Sequence, residues 1–141
     1  MTFRVDSLRG APTASALPGV IDYRLARNSI VSEFRKGRLS RLDVCDAHPE
    51  LLRAAKNVGA ETDLECPICE EAYLVHVSYV FGSRLPPQGR CISSRDELAK
   101  LARRPTVLAC YVVEVCTECS WNHLSRTFPV GGRARRSSSG S

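Results

Sequence analysis

Two Cys-x-x-Cys pairs, Cys66-Pro67-Ile68-Cys69 and Cys116-Thr117-Glu118-Cys119, constrain this chain more than any other feature. Such a turn brings two thiolates onto one face of a tight loop, and two turns supply the four sulfurs of a tetrahedral zinc site. Residues 70–115 separate the pairs, so one metal held by all four would clamp distant segments together. Four thiolates leave no open coordination position, which points to a structural zinc ion rather than a catalytic one. A redox role for either pair needs the field of a helix N-terminus to lower a thiol pKa. Here Cys66 and Cys69 lead into a strand-like segment, and Cys116 ends one. His76 and His123 are substitute ligands in principle, but the four sulfurs already close the site.

The chain has 141 residues, the size of one ordinary domain. Its 43% apolar and 6% aromatic content gives a modest core, to which a metal clamp adds stability. No apolar run approaches the roughly 18 residues of a membrane span, and Met1 to Pro18 lacks the apolar stretch of a secretory signal. The expected location is cytoplasmic. In a reducing compartment, seven cysteines read as four ligands and three free thiols.

The net charge of +5 suggests nucleic acid until it is located. Arg133, Arg135 and Arg136 sit in an acid-free tail, and Arg4 and Arg9 outnumber Asp6 in the head. The remaining body carries about +1 and is polarised. Arg24, Arg27, Arg35, Lys36, Arg38 and Arg41 face only Glu33 within residues 24–41, whereas Glu61, Asp63, Glu65, Glu70 and Glu71 occur with no base. Four thiolates on zinc add a further net −2 near these acids. The metal end is expected to be electronegative, leaving the basic helix as the candidate contact surface.

The organisation expected is α+β, with an N-terminal helical region followed by a zinc-ribbon-like antiparallel sheet carrying a short helical insertion. The divisions are a disordered head (1–18), a helical region (19–60), a zinc-ribbon domain (61–130) and a disordered basic tail (131–141). Tyr23, Ala26, Ile30 and Phe34, with Ile21 and Leu25 beside them, predict a helix over Val20 to Lys36 that ends at Gly37. A short helix follows from about Ser40 to Cys45. His48-Pro49 opens a third, to Asn57, burying Leu51, Leu52 and Ala55. Tyr73–Phe81 and Thr106–Val115 read as strands, with Trp121–Phe128 as a return strand. Ser94-Arg95-Asp96-Glu97 is a capping box for a helix to about Arg103. One Cys turn leads into a strand and the other joins two, the plan of a zinc ribbon whose hairpins pack face to face.

Trp121-Asn122-His123 reads as a cover over the metal, with Asn122 and His123 bonding to the turn backbone or a sulfur and so orienting the ligands. The rival reading is a surface aromatic that stacks on a base or peptide. Cys110 reads as a buried apolar residue and Cys45 as a helix-packing one, with His48 as a cap. Cys91 follows the Pro86-Pro87-Gln88-Gly89 loop and has no marked partner.

Several motifs in this order resemble a family of small actinobacterial proteins known as a domain of unknown function. They are Val20-Ile21-Asp22-Tyr23, Val44-Cys45-Asp46-Ala47, Pro49-Glu50-Leu51-Leu52-Arg53-Ala54-Ala55, Cys66-Pro67-Ile68-Cys69, His76-Val77-Ser78-Tyr79-Val80-Phe81-Gly82, Tyr111-Val112-Val113-Glu114-Val115-Cys116 and Cys119-x-Trp121-Asn122-His123-Leu124. The resemblance covers about residues 20–128. It implies a bacterial cytosolic protein with a zinc ribbon, gives Cys45 and Trp121-Asn122-His123 the standing of signature positions, and implies no activity.

The leading functional expectation is a non-enzymatic zinc-ribbon module. It would bind a protein or ribonucleoprotein partner, by analogy in the transcription or translation machinery, through Arg24, Arg27, Arg35, Lys36, Arg38 and Arg41. The alternatives are a thiol-based redox or zinc-release sensor using Cys91 or Cys45, and direct RNA binding through the basic helix. No phosphate-binding loop, dinucleotide turn or nucleophile elbow is present, so no small-molecule substrate is expected.

Overall fold

A computed structural model describes residues 20–132. The head 1–18 and the tail beyond residue 132 lie outside the described residues. In chain order the elements are β1 (Ile21–Asp22), α1 (Arg24–Arg35), α2 (Arg41–Val44), α3 (Pro49–Val58), β2 (Ala60–Glu65), β3 (Tyr73–Phe81), β4 (Arg90–Ile92), α4 (Arg95–Ala102), β5 (Val107–Val115) and β6 (Asn122–Gly131). The architecture is α+β, with one six-stranded antiparallel sheet in the order β1-β6-β5-β3-β2 and β4 pairing with β3.

β-Branched and aromatic residues make β3 and β5 the centre of the sheet. Their register runs from Val75↔Val115 to Phe81↔Ala109. Alternate residues then serve opposite faces. Val77, Tyr79, Tyr111, Val113 and Val115 pack with Leu51 and Ala55 of α3 on one face. The other face has two separate cores. At one end Leu74 and Trp121 meet Val31 of α1, Val44 of α2 and the Cys turns. At the far end Val80, Leu108, Cys110 and Val112 meet Leu101 of α4.

The helix ends follow local chemistry. The Ser40 hydroxyl accepts the Asp43 N–H and the Asp43 carboxylate accepts the Ser40 N–H, a reciprocal cap on α2. His48 Nδ1 accepts the Glu50 N–H at 3.0 Å to open α3. Gly59 follows α3 where a Cβ would stand 2.1 Å from Val75 Cγ1, so no larger residue lets α3 meet the sheet this closely. Ser94 Oγ caps α4 through the Glu97 N–H, but the Glu97 carboxylate turns to the Ser93 N–H and Arg90 instead of closing the box.

Four expectations are corrected. The two Cys turns belong to hairpins lying side by side in one sheet, not stacked face to face, because β3 and β5 pair directly. The acidic segment before Cys66, which the sequence assigns to no element, is strand β2; an edge strand exposed on both faces shows no apolar alternation. The first helix starts at Arg24, since Ile21 and Asp22 pair with Thr127 and Arg126 and the Asp22 carboxylate accepts the Arg24 N–H at 2.8 Å. Its inward stripe is rotated: Leu25 is 84% exposed and Ala26 is exposed, while Arg27, Ile30, Val31 and Phe34 turn toward the sheet.

Candidate metal centre

Each Cys pair lies in the turn of a hairpin, between β2 and β3 or between β5 and β6. The first pair thus joins two strands just as the second does, where the sequence showed only one strand beside it. The backbones match as well. The Cys66 N–H donates to the Ala72 carbonyl at 2.8 Å and the Cys116 N–H to the Trp121 carbonyl at 2.9 Å. The Cys66 carbonyl accepts the Glu70 N–H, and the Cys116 carbonyl accepts the Ser120 N–H. Glu70 and Ser120, each directly after the second cysteine of its pair, adopt φ of 58° and 76°. Backbone N–H groups point at the sulfurs: Ile68 N–H to Cys66 Sγ and Cys119 N–H to Cys116 Sγ, both 3.4 Å. These bonds favour thiolate over thiol.

The β3–β5 register sets the two turns at the same end of the sheet. Cys66 Sγ stands 3.6 Å from Cys119 Sγ, Cys69 Sγ stands 3.7 Å from Cys116 Sγ, and all four sulfurs lie within 4.8 Å of one another. A tetrahedron with Zn–S bonds of about 2.3 Å has sulfur–sulfur edges of about 3.8 Å. No disulfide joins any cysteine. The four sulfurs therefore fit a tetrahedral metal ion.

The cluster is lopsided. Cys66 and Cys116 are fully buried, whereas Cys69 and Cys119 are half-exposed on an open cavity of about 380 Å³, with Arg41, Glu71 and Glu118 also lining it. Burial pushes the Cys66 thiol up to about 11, with Cys116 acting in the same direction, and burial also raises Cys119. Burial raises Cys69 too, but the Glu71 N–H and the neighbouring sulfurs outweigh it and hold this thiol below its ordinary value. Thiols that resist ionising beside one another do so readily against a dication, whose charge replaces the protons.

Trp121 is wholly buried, in the same cluster as Cys66 and Cys116, and presents no face to a base or peptide. Its Nε1–H donates to Glu114 Oε2 at 2.7 Å, and the Arg27 Nε–H reaches that same oxygen at 3.0 Å. Asn122 donates to Asp46 Oδ1 and to the Ser120 carbonyl, holding the second turn against the α2–α3 link. His123 is buried, with Nδ1 2.7 Å from the Leu124 carbonyl and its ring stacked 6.0 Å from that of Trp121. His76 and His123 stay outside the four-sulfur group.

The six basic residues read as one surface take different positions. Arg24 pairs with Asp22 at 3.8 Å, Arg38 with Glu33 at 3.3 Å and Arg27 with Glu114. Arg41 stands at the sulfur cluster beside Cys45 and Cys119, and these sulfurs raise its pKa against the opposing effect of burial. Arg35 and Lys36 have no ion pair among the described residues, and with Asn28, Val31 and Ser32 they line a surface depression of about 560 Å³. Sequence reasoning missed the pairing of buried Glu114 with half-buried Arg27. The signal was present in Glu114, a single acid between Val113 and Val115 in an apolar strand.

Among the described residues no helix is long and apolar enough to cross a membrane. No solved structure matches the chain. It is similar to Uncharacterized protein Rv0049 of Mycobacterium tuberculosis and to Uncharacterized protein Mb0050 of Mycobacterium bovis. Each is 44% identical over 111 residues, covering 79% of this chain and 81% of the relative. A family model matches residues 16–140, across the sheet and all four cysteines, and the chain belongs to that family, the Family of unknown function (DUF5318).

Proposed function

We propose that the four thiolates hold a structural zinc ion, and that the protein is a non-enzymatic module binding a protein or ribonucleoprotein partner. The observation that carries this reading is the closed ligand set: four sulfurs at tetrahedral spacing, with backbone N–H groups aimed at them. Such a site supplies rigidity, and binding is left to the surface it supports. That surface is the end of α1 bearing Arg35, with Lys36 directly after it, flanked by Asn28 and Ser32 as hydrogen-bonding groups. Its charge suits an acidic protein patch or a phosphate backbone. By analogy with other zinc ribbons carrying basic extensions, the partner belongs to the transcription or translation machinery.

The test is affinity purification from an actinobacterial host without chelator, with metal analysis of the recovered protein. The expected result is one zinc per chain and a partner that is retained by wild type and lost by Arg35→Glu/Lys36→Glu at unchanged zinc content. Absence of metal would remove the first half of the reading. Equal partner recovery by both proteins would remove the second. Recovery abolished by ribonuclease would identify RNA as the direct ligand.

A further inference from the structure

The fold gathers a second set of cations at the end of the sheet away from the sulfurs. Residues 82–106 carry six basic side chains, Arg84, Arg90, Arg95, Lys100, Arg103 and Arg104, against Asp96 and Glu97 alone. Arg90 is committed to Glu97 at 2.7 Å. Arg84, Arg95, Lys100 and Arg103 are exposed and have no ion pair among the described residues. Three segments meet at Arg104. Its Nη1–H donates to the Ser83 carbonyl at 3.3 Å, which ties the loop carrying Arg84 to the C-terminal end of α4. Its carbonyl accepts the Gly132 N–H at 2.9 Å, so β6 also ends here. Leu85, Leu98 and Leu101 pack into the core beneath, which leaves the polar side of α4, with Lys100 and Arg103, facing out. In the sequence Arg133, Arg135 and Arg136 follow directly, with no acid beside them.

A local cause accounts for part of this charge, since the dipole of α4 favours cations at its C-terminal end. The dipole has no claim on Arg84, and it opposes Arg95 at the first helical position. The acids of the sulfur end do not neutralise the set either. β3 and β5 are nine residues long. At about 3.3 Å per residue the two ends stand roughly 25 Å apart, about three screening lengths at physiological salt. Two features choose among anionic partners. Val107 is the one large apolar side chain exposed at this end among the described residues, so the surface lacks the apolar anchor that a protein partner engages. Five of the six cations are arginines, whose planar fork pairs with phosphate oxygens.

We propose that this end of the molecule is a binding surface for the phosphodiester backbone of a nucleic acid, held by Arg84, Lys100, Arg103 and Arg104. The surface is separate from the one at Arg35 and Lys36, and it does not depend on the metal. Contacts to phosphate carry charge and position but no base sequence. The surface therefore supplies affinity and leaves specificity to other parts of the complex.

The experiment follows the fluorescence anisotropy of labelled oligouridine, oligothymidine and a DNA duplex against the full-length protein between about 50 and 200 mM salt. Wild type should bind at least one of the three, with affinity falling steeply as salt rises. A preference among them supports the proposal and names the backbone taken. For a single strand, Arg84→Gln/Lys100→Gln/Arg103→Gln should weaken binding about 100-fold near 0.1 M salt and lower the log–log salt slope by about 2, as three lost phosphate contacts require. Should that variant melt early, Arg84→Gln and Arg103→Gln alone decide the matter, each lowering the slope by about 0.7. Arg35→Glu/Lys36→Glu should keep the wild-type slope, whatever it does to recovery of a protein partner. Absence of binding to all three probes, or equal slopes for wild type and the glutamine variants, would overturn the proposal. So would a larger loss of slope in Arg35→Glu/Lys36→Glu, or displacement of the strand by polyglutamate at equal charge, which would assign the surface to an acidic protein.

Discussion

The two ends of this sheet close by different physics. At the far end, Val80, Ile92, Leu101, Leu108, Cys110, Val112 and Val130 form an apolar core under α4, and burial alone is enough to hold it. At the sulfur end, Val31, Val44, Ile68, Leu74 and Trp121 surround four cysteines, and beside them lies a buried carboxylate held by Arg27 and Trp121. Without a cation, this second end packs thiols against one another with little apolar area behind them. The comparison teaches that a metal would act on one end of the molecule, and that the other end should tolerate its loss.

The largest effect that would test this contrast is removal of a ligand. Cys66→Ser or Cys116→Ser should abolish zinc retention and destabilise the protein by several kcal/mol, on the order of 4 or more. Hydrogen exchange should then rise in residues 60–75 and 115–125, with protection kept in Leu108–Val112. Uniform loss of protection would mean that the ends are not separable. Next in size is Leu108→Ala at the apolar end, which should cost about 3 kcal/mol by cavity formation while zinc content stays at wild type. A drop in zinc content would show the two ends to be coupled. Smallest are Glu70→Gly and Ser120→Gly. Both residues adopt left-handed φ, which glycine takes without strain, so each variant should raise stability by about 0.5 kcal/mol in thermal melts. Unequal shifts would break the likeness of the two turns.

The features legible in the sequence were those with local causes. The Cys spacing, the Ser40 and His48 caps and the apolar runs of β3 and β5 depend on neighbours a few residues away. What stayed hidden was set by distant partners. Arg27 looked like a solvent residue because nothing near it in sequence neutralises it; Glu114, eighty-seven positions on, does so. The periodicity that favoured Ala26 for the inward stripe failed at that point, since an ion pair can occupy a position that a hydrophobic count gives to alanine. Cys45 read as a helix-packing residue, and what the sequence could not show is that the link after it is tied to the second Cys turn, beyond residue 115, by the Asp46–Asn122 and Ala47–Ser120 bonds. β2 was illegible for another reason. Its register comes from backbone pairing with β3 and from the Thr62 hydroxyl bonded to the Leu74 carbonyl at 2.7 Å, neither of which leaves a pattern in side-chain polarity.

The acidic character of β2 has a further consequence, for self-association. A sheet edge offers unpaired N–H and C=O groups to any passing strand, including that of a second copy of the same chain. β2 occupies one edge of this sheet, with Glu61, Asp63 and Glu65 along its six residues and a register irregularity between Glu61 and Glu65. Two such edges approaching each other would bring carboxylate against carboxylate along a backbone that does not run straight. At the opposite edge β1 presents two residues only. The run of acids beside the first Cys turn therefore does for the sheet what a covering helix does elsewhere: it keeps an open edge from becoming a template.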